Sequence, residues 1–227
     1  MTQEQTAIVL TKGSRIDLQK TDPGLEEILI GISWGKNKSD TGAQYDVDIS
    51  AFSLVHVGDS KEPKIRTNDD VLFYSSVHRT EDDKTVFKDT GPYPKKGRPC
   101  APDLSVIHSG DNTDGGGEGY DEKIIVNVAK VLANLNEVSF VGTIFEAIER
   151  KQTFGQIPGS RVDVLNNKTG RVLASYDLEE SFSDETAIQV GSLYKNPENH
   201  AAFKAVGIGY KLGLGEFCKG YGATNVS

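Results

Sequence analysis

Apolar and polar positions alternate with a period of two through much of the chain. In the stretch 25–34, Ile28, Ile30, Ile32 and Trp34 fall on one side of an extended backbone, the pattern of a strand with one well-buried face. A Pro23-Gly24 turn precedes it. Runs of the same style, rich in β-branched and aromatic residues, predict strands over 45–57, 70–75, 123–128, 138–145 and 160–165. Asn166-Asn-Lys-Thr-Gly170 separates the runs 161–165 and 171–176 with the length and composition of a hairpin connection. Helical periodicity is scarce. Only 128–133 and 146–151 fit it, and neither is long enough to form a packing layer. The pattern predicts an all-β fold, a β-sandwich of two packed sheets with a few short helices.

At 227 residues the chain could form one large β domain or two small ones, and length alone does not decide, although sandwiches of this size often build a single core; one domain spanning 1–227 is expected. One stretch interrupts the pattern. Between Glu81 and Asp103 the chain is charged and turn-rich, and Pro92, Pro94, Pro99 and Pro102 fall within eleven positions. No central strand can hold them, so an inserted loop is expected at about 81–103. Its Lys95-Lys96-Gly97-Arg98 run reads as a solvated surface cluster.

Charge narrows the partners. A formal charge of −8 disfavours nucleic acid, while 24 glycines signal many tight turns. No apolar run approaches membrane-spanning length, and MTQEQTAIVLTKGSR lacks the basic start and apolar core of a secretory signal, so a cytoplasmic protein is expected. Cys100 and Cys218 lie far apart with no metal-ligand spacing around them, and read as two reduced thiols.

Candidate chemistry concentrates in two acidic segments. In Gln44–Phe52, Asp46, Asp48 and Ser50 share one face of a strand and Val47, Ile49 and Ala51 the other. Two carboxylates roughly 7 Å apart along a strand repel, so the pair is comfortable only in water or near a cation. A solvated polar face accounts for it as well as a metal does. The second segment says more. Gly110–Glu122 holds five side-chain carboxylates and one carboxamide within twelve positions, interleaved with glycines. Every donor is a hard oxygen, and glycines let a loop turn its carbonyls inward, which suits calcium above zinc, copper or magnesium. An EF-hand loop would need oxygen side chains where Thr113 and Gly115 stand, and helices on both flanks. Gly116–Asp121 also fits one turn of a calcium-binding β-roll, although one copy cannot stack.

The two segments, Tyr45-Asp-Val-Asp-Ile-Ser-Ala-Phe52 and Gly110–Glu122, resemble the paired motifs of the TerD family. Further family-like markers follow in order: Leu10-Thr-Lys-Gly13, Pro23-Gly24-Leu25, Gly31-Ile-Ser-Trp34, Val71-Leu-Phe-Tyr74, Phe154-Gly-Gln156, Glu185-Thr-Ala187 and Leu193-Tyr194. The resemblance covers essentially the whole chain. It implies a β-sandwich that binds one or two Ca2+ ions, acts in stress response and tellurite resistance, and has no established catalysis. Matched position by position, the implied ligands are Asp46, Asp48, Asp111, Asn112, Gly115, Gly117, Glu118, Asp121 and Glu122, with Gly119 also matching. Tyr120 stands where an Asp is usual and Asp114 where Thr is usual, a departure that weakens or relocates one site. The implied partners beyond calcium are other stress-response or membrane-associated proteins. Two alternatives remain open. One is a magnesium-dependent hydrolase or transferase using Asp46 and Asp48; the other is a non-catalytic partner-docking module. The chain offers the enzyme neither a phosphate-cradling loop nor a nucleophile elbow, and His56, His78, His108 and His200 share no site spacing.

Overall fold

Ile28, Ile30 and Ile32 are fully buried and Trp34 is 2% exposed, so the alternating run does form a strand with one face in the core. Each fully buried isoleucine contributes roughly 1.5–3 kcal/mol relative to an exposed one. The computed structural model describes residues 7–38, 42–56, 62–178 and 182–224. Its strands are β1 (Ile8–Val9), β2 (Arg15–Asp17), β3 (Glu27–Ser33), β4 (Val47–Leu54), β5 (Val71–Leu72), β6 (His78–Thr80), β7 (Phe87–Lys88) and β8 (Arg98–Pro99). They continue with β9 (Val106–His108), β10 (Glu122–Asn127), β11 (Glu137–Ile144), β12 (Arg161–Asn166), β13 (Val172–Asp177), β14 (Ala187–Lys195) and β15 (Ala201–Tyr210). Short helices α1 (Leu18–Thr21), α2 (Val128–Asn134), α3 (Ala147–Arg150) and α4 (Leu214–Gly220) punctuate them.

Two six-stranded sheets form the body. Sheet A runs β1-β13-β12-β3-β10-β9 and sheet B runs β2-β15-β14-β11-β4-β5. Their facing sides supply the main core, with Ile28, Ile30, Ile32, Ile124 and Val126 from sheet A against Val47, Ile49, Ala51, Phe140 and Ile188 from sheet B. The predicted hairpin is present as β12–β13, and the Asn166 side chain holds its turn by accepting from the N–H groups of Lys168 (2.9 Å) and Thr169 (3.1 Å).

Sheet B differs from the sequence reading in being buried on both faces. All eight residues of β4 are buried. Phe52 and Leu54, on the side away from the main core, pack with Val141, Ala187, Phe217 and Cys218 in a second cluster beneath α4. The face carrying Asp46, Asp48 and Ser50 is therefore no solvated polar face. The strand expected over 45–57 is trimmed to 47–54, with Val57 outside the described residues. The strand expected over 70–75 shrinks to β5. Asp70 is drawn instead into a 3-10 turn, where it accepts from the Arg66 N–H (2.8 Å) and binds the Arg66 guanidinium (2.6 Å).

The proline-rich stretch folds onto its own three-stranded sheet, β7-β6-β8. Pro99 lies on the outer strand β8, where a missing N–H costs no ladder bond. Buried Arg79 staples the stretch to the body. Its guanidinium donates to the carbonyls of Lys96 (2.8 Å), Gly97 (2.7 Å) and Tyr74 (2.9 Å). Among the described residues no helix is long and apolar enough to cross a membrane.

Candidate metal centre

Both acidic segments meet at one edge of sheet B. Asp46 and Asp48 stand at the start of β4, while the loop 109–121 joins β9 to β10 and carries Asp111 toward them. One carboxylate oxygen from each of Asp46, Asp48 and Asp111 lies within 4.8 Å of the others. A single ion with metal–oxygen distances of roughly 2.3–2.6 Å can span such a set. Glu122 stands just behind it.

The topology explains why this edge is open. Two-residue β5 pairs only with Ala51 and Phe52 of β4, so on the side away from β11 the Ile49 peptide has no strand beside it. Backbone groups buried without partners are costly, and sheet A supplies the partners: Glu122 Oε2 accepts from the Ile49 N–H (2.8 Å), and His108 Nε2 donates to the Ile49 carbonyl (2.9 Å). His108 Nδ1 accepts from the Gly110 N–H (3.0 Å), which puts the ring proton on Nε2. This histidine, read from sequence as one of four scattered ones, clamps the two sheets together at the centre.

Trp34 organises the loop. Its backbone N–H donates to Asp121 Oδ2 (3.0 Å), its carbonyl accepts from the Gly116 N–H (2.9 Å), and its indole N–H donates to the carbonyl of Tyr45, one residue before Asp46. Gly115 passes so close that a Cβ there would lie 2.2 Å from the indole nitrogen, in a left-handed conformation (φ +59°) that side chains disfavour. One residue thus fixes the positions of both acidic segments, the loop through its backbone and the start of β4 through its indole.

The implied ligands divide into groups. Asp46, Asp48 and Asp111 converge, with Glu122 adjoining them through Ile49. Asn112 and Asp121 hold the loop: Asn112 Oδ1 accepts from Gly115 N–H (3.3 Å), and Asp121 Oδ1 accepts from Gly117 N–H (3.0 Å). Glu118 is exposed and contacts nothing in the cluster among the described residues. Tyr120 turns to the outer face of sheet A, its ring over Gly31 and its hydroxyl donating to Asp163 (2.8 Å). Asp114 pairs with Lys36 at the surface (3.0 Å).

Electrostatically the cluster is unfinished. Asp46 and Asp48 are 7% and 5% exposed, yet among the described residues neither carboxylate receives a hydrogen bond, and the cation beside them, Arg150, stands 3.6 Å from Asp46. Burial and the charge of Asp111 push Asp46 up to about 6. Asp48 is raised well above the carboxylate range by burial and by Glu122, and Glu122 is raised by its own burial. Ser50, next along the same face, keeps a buried hydroxyl with no partner among the described residues. Oxygen donors that lack protein partners fit a hard cation.

Two neighbours escaped the sequence reading. Arg150 is delivered by α3, and Tyr93, from the proline-rich stretch, donates its hydroxyl to Asp111 Oδ2 (2.6 Å) while its ring meets Tyr74 edge-on at 5.4 Å. No local motif marks either one, since both arrive through long-range packing.

Comparison with known proteins identifies the family of the chain. The TerD domain matches residues 6–92 and 96–221, so the break at 93–95 falls on Tyr93 and its neighbours. General stress protein 16U of Bacillus subtilis (strain 168) is 38% identical over 95% of this chain and 97% of its own. Tellurium resistance protein TerD of Alcaligenes sp is 34% identical over 95% of this chain and 97% of its own. In fold, a homologue of telluride resistance protein (TerD) from Streptomyces coelicolor A3(2) superposes with a TM-score of 0.57 at 17% identity, covering 88% of this chain and all of that one. By a domain match that spans nearly its whole length, the chain belongs to the TerD family of tellurium-resistance and stress proteins.

Proposed function

We propose that this protein is a calcium-binding module whose centre is formed by Asp46, Asp48 and Asp111, with Glu122 as a fourth carboxylate close by. The observation that carries the reading is geometric: three carboxylate oxygens converge within 4.8 Å, and the carboxylates of buried Asp46 and Asp48 receive no hydrogen bond among the described residues. Calcium would turn a repelling set into ligands, so binding and ordering of the 109–122 loop are one event. The all-oxygen donor set and the glycine-rich loop favour calcium over softer metals.

Its role in stress or tellurium resistance, taken from relatives of those names, would then be indirect. Tellurite is an anion and the centre is anionic. Cys100 and Cys218 are buried, and burial pushes both thiols up to about 11, so neither is poised as a thiolate to reduce or bind it.

Calorimetric titration of chelator-stripped protein with calcium, and with magnesium as control, tests the reading. One or two calcium ions bound with weak magnesium competition, together with a rise in melting temperature at millimolar calcium, is the expected result. Silence with both ions overturns it.

A further inference from the structure

Beside the acidic centre, on the outer face of sheet B, lies a groove of about 420 Å3 between α3 and the N-terminal end of α4. Its apolar wall is made by Phe73, Tyr74, Phe145, Ile148, Leu212 and Leu214. Phe145 is 37% and Ile148 66% exposed, so apolar surface stands open in a cluster rather than singly.

The charged side chains lining this groove have one sign: among the described residues, Asp48, Glu146, Glu149 and Glu216 line it and no Lys, Arg or His does. Arg150 stands over the Phe145 ring at 4.9 Å, but it is turned to Glu146 (3.3 Å) and Asp46 (3.6 Å). Glu216 accepts from the Gly213 N–H (3.2 Å) at the start of α4. Glu149 has no ion pair or hydrogen bond among the described residues and is free to meet an incoming cation.

We propose that this groove docks an apolar peptide segment bearing lysine or arginine, presented by a partner protein. Apolar side chains would cover Phe145, Ile148 and Leu214, and the flanking cations would meet the acidic rim. The same rim repels an anionic lipid surface and any acidic segment. The proposal stands apart from the calcium reading, because of the residues it uses only Asp48 belongs to the converging carboxylates.

The test is fluorescence anisotropy, in chelator, with a labelled short peptide of alternating leucine and lysine, against leucine–glutamate and serine–lysine versions. Saturable binding of the first alone is expected. Ile148→Ser, at an exposed position where folding is safe, should weaken it about tenfold through lost apolar contact, and Glu149→Lys should weaken it about threefold through charge reversal at the rim. Equal binding of the serine–lysine peptide, affinities unchanged in both variants, or no saturable binding would each overturn the proposal. So would a wild-type dimer that Ile148→Ser converts to monomer, which would give the groove to a second copy of the chain.

Discussion

Two clusters of potential metal ligands lie at opposite edges of sheet B: Asp17, Glu198 and His200 beside β2, and Asp46, Asp48 and Asp111 beside β4. They contain similar groups at similar spacing but differ in what else the protein supplies. Asp17 accepts from the Lys20 N–H (2.8 Å) and the Asn196 side chain (2.9 Å) and faces His200 Nδ1 at 3.0 Å. Burial alone would raise it, yet these partners outweigh burial and hold its pKa below the ordinary value. Among the described residues Asp46 and Asp48 have no such donors, and theirs rise. Carboxylate proximity is thus a poor indicator of a metal site. The informative quantity is how many hydrogen bonds the protein itself has supplied.

That contrast can be broken most forcefully at Asp48. Asp48→Asn should weaken calcium by about two orders of magnitude, since ligand charge tunes affinity steeply, while raising the melting temperature of the chelated protein by a few degrees as repulsion is relieved. Titration calorimetry and paired melts with and without chelator read the two opposite signs; a variant destabilised in chelator would contradict the repulsion.

Acidity sharpens the contrast next. Asp46 titrates near 6 when folded against 3.8 as its reference value, so the chelated fold holds a proton that the unfolded chain releases between those values. The associated stability is complete below 3.8 and lost as the pH rises through about 6. Melts of chelated wild type and Asp46→Asn should coincide below about 3.8, diverge as the pH rises from there, and differ fully above about 6, with the asparagine variant higher. Calcium affinity should fall as the pH drops through the same window.

A smaller effect is expected at Tyr93, which orients Asp111 from outside the cluster. Tyr93→Phe should weaken calcium about tenfold, the scale of a lost supporting hydrogen bond, without altering the melt of the chelated protein by more than about 1 kcal/mol. Smallest is Asp17→Ala at the other edge. Loss of the α1 cap should cost about 1 kcal/mol, equally in calcium and in chelator, and leave the calcium isotherm unchanged.

Much of the sandwich was legible because period-two runs such as 28–34 and 161–176 report a buried face directly. The carboxylates of the loop were legible because glycine and acid density is a local property. What escaped depends on distance in sequence. Nothing near Asp48 says that α4, some 170 positions later, would cover the same face of sheet B, so a pair expected to be either solvated or metal-bound turned out to be buried. Nothing in Val106–His108 marks His108 as the group that satisfies the Ile49 carbonyl; the need arises only because β5 stops short. For Asp121, density of acids indicated chemistry, but its oxygens receive backbone N–H groups from Trp34 and Gly117.

Trp34 is the chain's single tryptophan, and the loop hangs from its backbone while Gly115 lies against its indole. Its fluorescence is therefore an internal gauge of the centre. Detachment of the loop would admit water to a ring now 2% exposed and shift its emission to longer wavelength, so attachment of the loop, and with it the proposed ion binding, can be followed in unlabelled protein, in real time, from one residue.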